Sequence, residues 1–333
     1  MADINLSRST AIITDSDGDG VADPGDTLRV TVTISNTTAS AITAITLEDT
    51  LTGSTLVGSV NISPLAVNDS YSAVGNTLLL AGGASGTGPA LTNATKLTAN
   101  DIEFLSDTVT VDAATVTSAQ GGSVTINADG SFSYISAAGY TGSDSFSYTI
   151  RDDGIDGIAG NADDLTSTAT ATITVSDQVW YVDATSGSDT TGTGTSTKPF
   201  ATVTKAATVD GASDYIYVKG SATGTITMEQ GEHLIGTGSA LVVGGNTLAA
   251  AGTRSTITGS SGYTVTLAGG DTGNNEISGI NVVATGFAVN GGILGTSFGT
   301  LTVNNATIDS SLRALQLSTG VGLYGLAGHL SCC

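Results

Sequence analysis

The sequence predicts an all-β chain that starts as β-sandwich and ends as parallel β-helix. Three observations predict it. Thr, Ser, Val and Ile are abundant, and 45 of the 333 residues are glycine, as many short strands joined by tight turns require. Apolar residues alternate with polar ones over short runs, and no stretch keeps a 3.6-residue period beyond two turns. In the last part of the chain, strand-like runs recur at intervals of 20–26 residues.

The first segment, 1–64, opens on "TDSDGDGVADPGDT" and continues into "TLRVTVTISNT", where Leu28, Val30, Val32 and Ile34 alternate with polar residues as in a half-buried strand. "AITAITLEDTL" and "STLVGSVNI" supply two more strands, and Pro64 marks the boundary or sits on an edge strand. The second segment, 65–177, holds the hairpin "SVTINADGSFSYIS". Val124 and Ile126 precede the Asp129-Gly130 turn, and Phe132 and Tyr134 follow it. "GYTGSDSFSYTIRD", with Phe146, Tyr148 and Ile150 on one face, and "STATATITVS" complete a β-sandwich. The third segment, 178–333, turns from about Tyr215 into short apolar strands separated by Gly, Asn and Ser. An offset of 26 places Ile277 on Val303, Val282 on Ile308 and Val289 on Leu315, and an offset of 20 places Ile257 on Ile277. Inward aliphatics with Asn/Gly corners at that spacing are the coils of a parallel β-helix. After about residue 320, "VGLYGLAGHLSCC" continues no coil, so the β-helix is expected to be incomplete at its C-terminal end.

Charge and cysteine content narrow the partners. Thirty acidic against nine basic residues give a net charge of −21, which repels nucleic acid and suits divalent cations. No run of 18 apolar residues predicts membrane insertion, and "MADINLSRST" has neither the basic region nor the apolar core of a signal peptide. Cys332 and Cys333 are adjacent and supply no disulfide framework.

The richest motif is the aspartate loop. With Asp15 as position 1, Asp17 is 3, Asp19 is 5, Gly20 is 6, Val21 is 7, Asp23 is 9 and Asp26 is 12, the ligand spacing of a twelve-residue calcium loop. Position 12 is Asp rather than Glu, which shortens its reach, and the flanks are strands rather than the helices of a calcium sensor. The competing reading is a solvated turn, since turns favour Asp and Gly. Against it, five clustered carboxylates repel one another unless a cation joins them. Ca²⁺ is therefore the expected cofactor, held by Asp15, Asp17, Asp19, Asp23, Asp26 and the backbone at Val21. A second acidic run, "RDDGIDGIAGNADDL", offers Asp152, Asp153, Asp156, Asp163 and Asp164 as another metal cluster or as a decorated turn.

No catalytic residue is assigned. His233 and His329 stand at no motif spacing and read first as structural. Glycoside hydrolysis needs two facing carboxylates, and sequence does not say whether Glu229, Glu232, Asp271 and Glu276 meet across coils.

Each segment also resembles a bacterial surface-protein module. "DSDGDGVADPGDTLRVTVTISNT" resembles the immunoglobulin-like DUF11 repeats. "LAVNDSY", "LTANDI" and "GGSVTINADGSFSYISAAGYTGSDSFSYTIRD" are similar to bacterial cadherin-like repeats of large adhesins. "WYVDATSGSDTTGTGTSTKPFATVTKA" followed by "DYIYVKG" looks like the start of a right-handed, pectate-lyase-like β-helix. The resemblances imply two β-sandwich modules, immunoglobulin- and cadherin-like, followed by a right-handed parallel β-helix. They imply a non-enzymatic, calcium-stabilised protein outside the cell or at its surface, meeting polysaccharide or a host or neighbouring cell, with self-association through the open β-helix end. The alternative is a β-helix that binds or degrades polysaccharide.

Overall fold

The computed structural model describes residues 4–36, 62–105, 107–270, 273–285, 291–318 and 322–332. It divides into two compact units, Met1–Val60 and Asn61–Cys333.

In the first unit, β1 (Ile4–Thr14) and β2 (Thr27–Asn36) pair antiparallel, with Ile12 opposite Leu28 and an irregularity between Ile12 and Thr14. The aspartate loop is the tip of this hairpin. The half-buried face expected at Leu28 and Val30 is corrected: among the described residues they are 42% and 37% exposed, and Arg29 between them is exposed as well. The strands expected at 41–51 and 54–62 fall almost entirely outside the described residues.

The second unit opens as a two-layer sandwich. One layer has the order β5 (Ala90–Ala94), β4 (Leu78–Ala81), β9 (Phe132–Ile135), β8 (Ser123–Ile126), β7 (Ala114–Thr117). The other joins β3 (Asp69–Gly75), β11 (Thr166–Asp183), β10 (Gly142–Arg151) and β6 (Thr110–Val111). Strict alternation decides which residues face inward. Val124, Ile126, Phe132 and Tyr134 come from the first layer, and Phe146, Tyr148, Ile150 and Ile173 from the second. Phe132 packs edge-on between Tyr71 and Phe146, with ring centroids 4.9 and 5.3 Å away. Each such side chain, fully buried, contributes about 1.5–3 kcal/mol.

No break separates this sandwich from the parallel strands C-terminal to it. β11 pairs antiparallel with β10 over residues 166–175 and parallel with β3 from Ala171. Beyond Asp177 (φ 55°) it pairs parallel with β12 (Tyr215–Lys219). Between them lies one turn of helix, α1 (Val203–Ala206), capped by Thr202.

From β12 the strands recur in a fixed order on three faces. The first tier is β12, β13 (Ser221–Thr223) and β14 (Ile226–Met228). The second is β15 (His233–Gly236), then an excursion carrying the hairpin β16 (Leu241–Val243) and β17 (Asn246–Ala249), then β18 (Ser255–Gly259) and β19 (Tyr263–Leu267). The third is β20 (Asn274–Ser278), β21 (Ile280–Ala284) and β22 (Gly291–Thr296). The fourth is β23 (Thr300–Ser310), bent across two faces, and β24 (Arg313–Ser318). Each strand lies parallel on its counterpart in the tier before. The first corner needs left-handed backbone, supplied by Gly220, Gly279 and Asn305. Ile216, Ile226, Leu234, Ile257, Ile277 and Ile293 fill the interior.

Ile277 does lie on Val303 and Val282 on Ile308. The offset of 20 is corrected: Ile257 stacks on Val282, and Ile277 on Leu234. Residues 237–254 lengthen that tier, so 257 and 277 belong to different faces. Val289 is outside the described residues, and Leu315 lies on Ile293. The expected irregularity after 320 is also corrected. β25 (Gly322–Cys332) adds a further parallel strand to β23, with Leu323 opposite Leu301 and Leu330 opposite Ile308. The open edge of β23 offers unpaired backbone groups, and aliphatic residues in matching register occupy it.

Candidate functional site

At the hairpin tip, Asp15, Asp17 and Asp19 each bring a carboxylate oxygen to within 4.8 Å of the others. Local hydrogen bonds fold the loop this way. Asp15 accepts the N–H of Gly18 at 2.7 Å and of Gly20 at 2.8 Å, and these bonds, Gly20's first, hold its carboxyl below the ordinary value. Gly18 and Gly20 take φ near +77° and +76°, which lets the chain coil around the Asp15 carboxylate. Asp17 accepts from Asp19 N and Asp19 from Val21 N. Asp26 folds back instead, accepting from Ser16 N at 2.8 Å and Asp23 N at 3.1 Å. The three-carboxylate group therefore excludes Asp23 and Asp26, while Val21 is 60% exposed beside it. Each carboxylate oxygen has a second lone pair, so these bonds leave room for a hard cation.

The second acidic run is the connection between β10 and β11, and its carboxylates mostly close the turn on itself. Asp153 accepts from Thr108 N, Asp156 from Ile158 N and from the Asn161 amide, Asp163 from Ile155 N, and Asp164 from Gly160 N. Asp152 is fully buried and accepts from Leu165 N at 2.6 Å. Its other oxygen and one of Asp164 are buried without a donor. Burial first, then the charges of Asp107 and Asp164, push the Asp152 carboxyl upward.

The parallel tiers bring together residues that the sequence keeps far apart. His233 Nδ1 lies 3.0 Å from Glu276 Oε2 on adjacent strands, and the His233 ring stacks on Tyr215 at 4.3 Å and 7°. The 43-residue separation of this pair spans the 237–254 excursion, which is why no repeat period exposes it. Glu232, instead of facing another carboxylate across a cleft, is buried against Asp210 in stacked turns. Glu232 Oε1 and Asp210 Oδ2 both lack a donor. Burial, then the Asp210 charge, pushes the Glu232 carboxyl up strongly. Asp271 lies outside the described residues.

No helix among the described residues is long and apolar enough to cross a membrane, which says nothing of a β-barrel. No curated protein and no solved structure matches the chain. The resemblances of the first and third segments to DUF11 repeats and to pectate-lyase-like proteins gain no support from the family comparison. Residues 61–177, the sandwich built on β3 to β11, match the bacterial cadherin-like domain family and are similar to an immunoglobulin-like module of that kind.

Proposed function

We propose that this chain is a non-enzymatic, calcium-stabilised surface protein of the adhesin type, acting outside the cell, with modules 1–64, 65–177 and 178–333. The carrying observation is the cadherin-like match over 61–177, a module suited to extracellular adhesion. In this reading the parallel tiers are a right-handed β-helix, and polysaccharide or a host or neighbouring cell is the partner.

The calcium part rests on the convergence of Asp15, Asp17 and Asp19 on a coiled, glycine-hinged loop. Ca²⁺ takes six to eight oxygens on a flexible loop, so three carboxylates, the Val21 carbonyl and water suit it better than the octahedral demands of Mg²⁺. The ion would fix the 15–21 half of the β1–β2 hairpin tip, while Asp26 ties the two ends through Ser16 N. It has no base beside it, and the flanking strands give no helix pair to open, so its role is structural. The turn at 152–165 is assigned no ion, because among the described residues no three of its carboxylates converge as Asp15, Asp17 and Asp19 do.

Calorimetry of the full chain in EDTA and then in Ca²⁺ tests this reading. The transition of the first unit should fall in EDTA and return with Ca²⁺, and unchanged melting would sink the metal part. Incubation with polyuronates and neutral glycans should release no new reducing ends and no unsaturated products. Turnover abolished by replacing a carboxylate of the tiers would favour the polysaccharide-degrading alternative.

A further inference from the structure

The outward face of the first parallel ladder carries a groove that the calcium reading does not use. Its floor is the in-register row Tyr215, His233 and Glu276, one residue from each of three successive tiers. On one side, Asp177 and the turns at 212–213, 230–231 and 273–274 enclose a recess of about 540 Å³. On the other, the β16–β17 excursion leans over the ladder and encloses a second recess of about 310 Å³ that ends at Ser278 and Asn304. Tyr215 and His233 line both recesses, so the two adjoin along that row and are taken together as the groove. Each recess lies in the range that small-ligand sites occupy.

We infer that this groove binds a neutral saccharide chain. Its lining is about evenly polar and apolar, where small-ligand pockets are mostly apolar. Carboxylates and amides at Asp177, Glu276, Asn274 and Asn304 are planar groups whose paired polar atoms match adjacent sugar hydroxyls. Stacked Tyr215 and His233 supply the apolar strip that sugar C–H faces need. Beyond their mutual contact, the side chains of His233 and Glu276 make no other hydrogen bond among the described residues, so each keeps polar atoms for a ligand. They are 28% and 32% exposed at the side chain, held in place yet reachable. Charge decides between sugar classes. Two carboxylates in the groove, on a chain of net charge −21, repel uronates and sulfated glycans. The excursion at 237–254 also fits a binding wall: among the described tiers it interrupts only the one that carries His233, and it buries Leu241, Val243 and Leu248 against the neighbouring core, which fixes its position.

This inference gives the surface-ligand part of the proposed function a site and a sugar class, and it is independent of calcium. The test is titration calorimetry of the full chain in EDTA with cellohexaose, chitohexaose and mannohexaose, and with polygalacturonate as the polyanion. At least one neutral hexaose should bind. Glu276→Ala and Asn304→Ala should each weaken it about tenfold or more, as loss of a hydrogen bond from a fixed polar group requires, with melting unchanged. No neutral hexaose binding below about 10 mM, affinity in both variants equal to that of the unsubstituted chain, or tighter binding of polygalacturonate would each overturn the inference. Because EDTA is present throughout, failure here leaves the calcium loop untouched, and failure of calcium binding leaves the groove untouched.

Discussion

Single carboxylates take opposite roles in this chain according to the donors around them. Asp144 is almost fully buried, and burial alone would raise its pKa. Ser118 Oγ at 2.5 Å, Gln120 N, Tyr134 OH and Ser145 N outweigh burial and hold it below the ordinary value. Asp144→Ala strands those donors and should cost about 3 kcal/mol, measured by urea unfolding of the full chain. A folded pKa below the unfolded one means that this stabilisation is present above the ordinary carboxylate range and is lost on acidification. Glu232 is the reverse. Its folded pKa is pushed from 4.5 up to about 9, so the fold holds a proton that the unfolded chain releases. Its contribution is complete below 4.5 and is lost as pH rises towards 9, with Asp210, Asp214 and Glu229 facing it. Glu232→Gln keeps a donor for Asp210 and should flatten the fall in melting temperature across that range. The same slope in the variant would show that another group titrates. The two sites differ in how sequence reveals them. Asp15, Asp17 and Asp19 are readable because their spacing is local, one turn of a loop. The His233–Glu276 pair depends on how many residues each tier spends at its corners, which no local pattern encodes.

At the scale of elements, alternation is the reliable signal. Val124 to Tyr134 and Phe146 to Ile150 predict the inward faces of three strands, because a period of two has one meaning in a two-layer sandwich. The tiers are legible only in part. Ile277 over Val303 follows from an uninterrupted coil, whereas the spacing misplaces Ile257 because the 237–254 excursion shifts the count. β25 is hidden in the sequence because its glycines blur the alternation, while its register on β23 is a property of the open edge. Corners carry the strictest demand. At Gly279 (φ +65°) an added Cβ would lie 2.1 Å from Ser239 N and 2.7 Å from Gly236 O. Gly279→Ala should therefore destabilise the second unit by about 3 kcal/mol, combining left-handed strain with a backbone clash. A loss below about 0.5 kcal/mol would mean that the corner relaxes freely.

Across the whole molecule, β11 makes the cadherin-like sandwich and the parallel tiers one unit, since a single strand pairs into both and Thr77 Oγ1 meets Tyr181 OH at 2.8 Å across the junction. Asn61–Cys333 should melt in one transition, and calcium should move only the transition of the separate unit Met1–Val60. The central claim is that the hairpin tip at 15–26 is a structural calcium site. Ca²⁺ titration calorimetry of the full chain, beside Asp15→Asn and the distant control Asp112→Asn, tests it most directly. The account predicts one equivalent bound with a Kd of about 10⁻⁴–10⁻³ M, as in extracellular modules, weakened at least about tenfold by Asp15→Asn and unchanged by Asp112→Asn. No calcium heat in the wild type, or equal binding by Asp15→Asn, would contradict it.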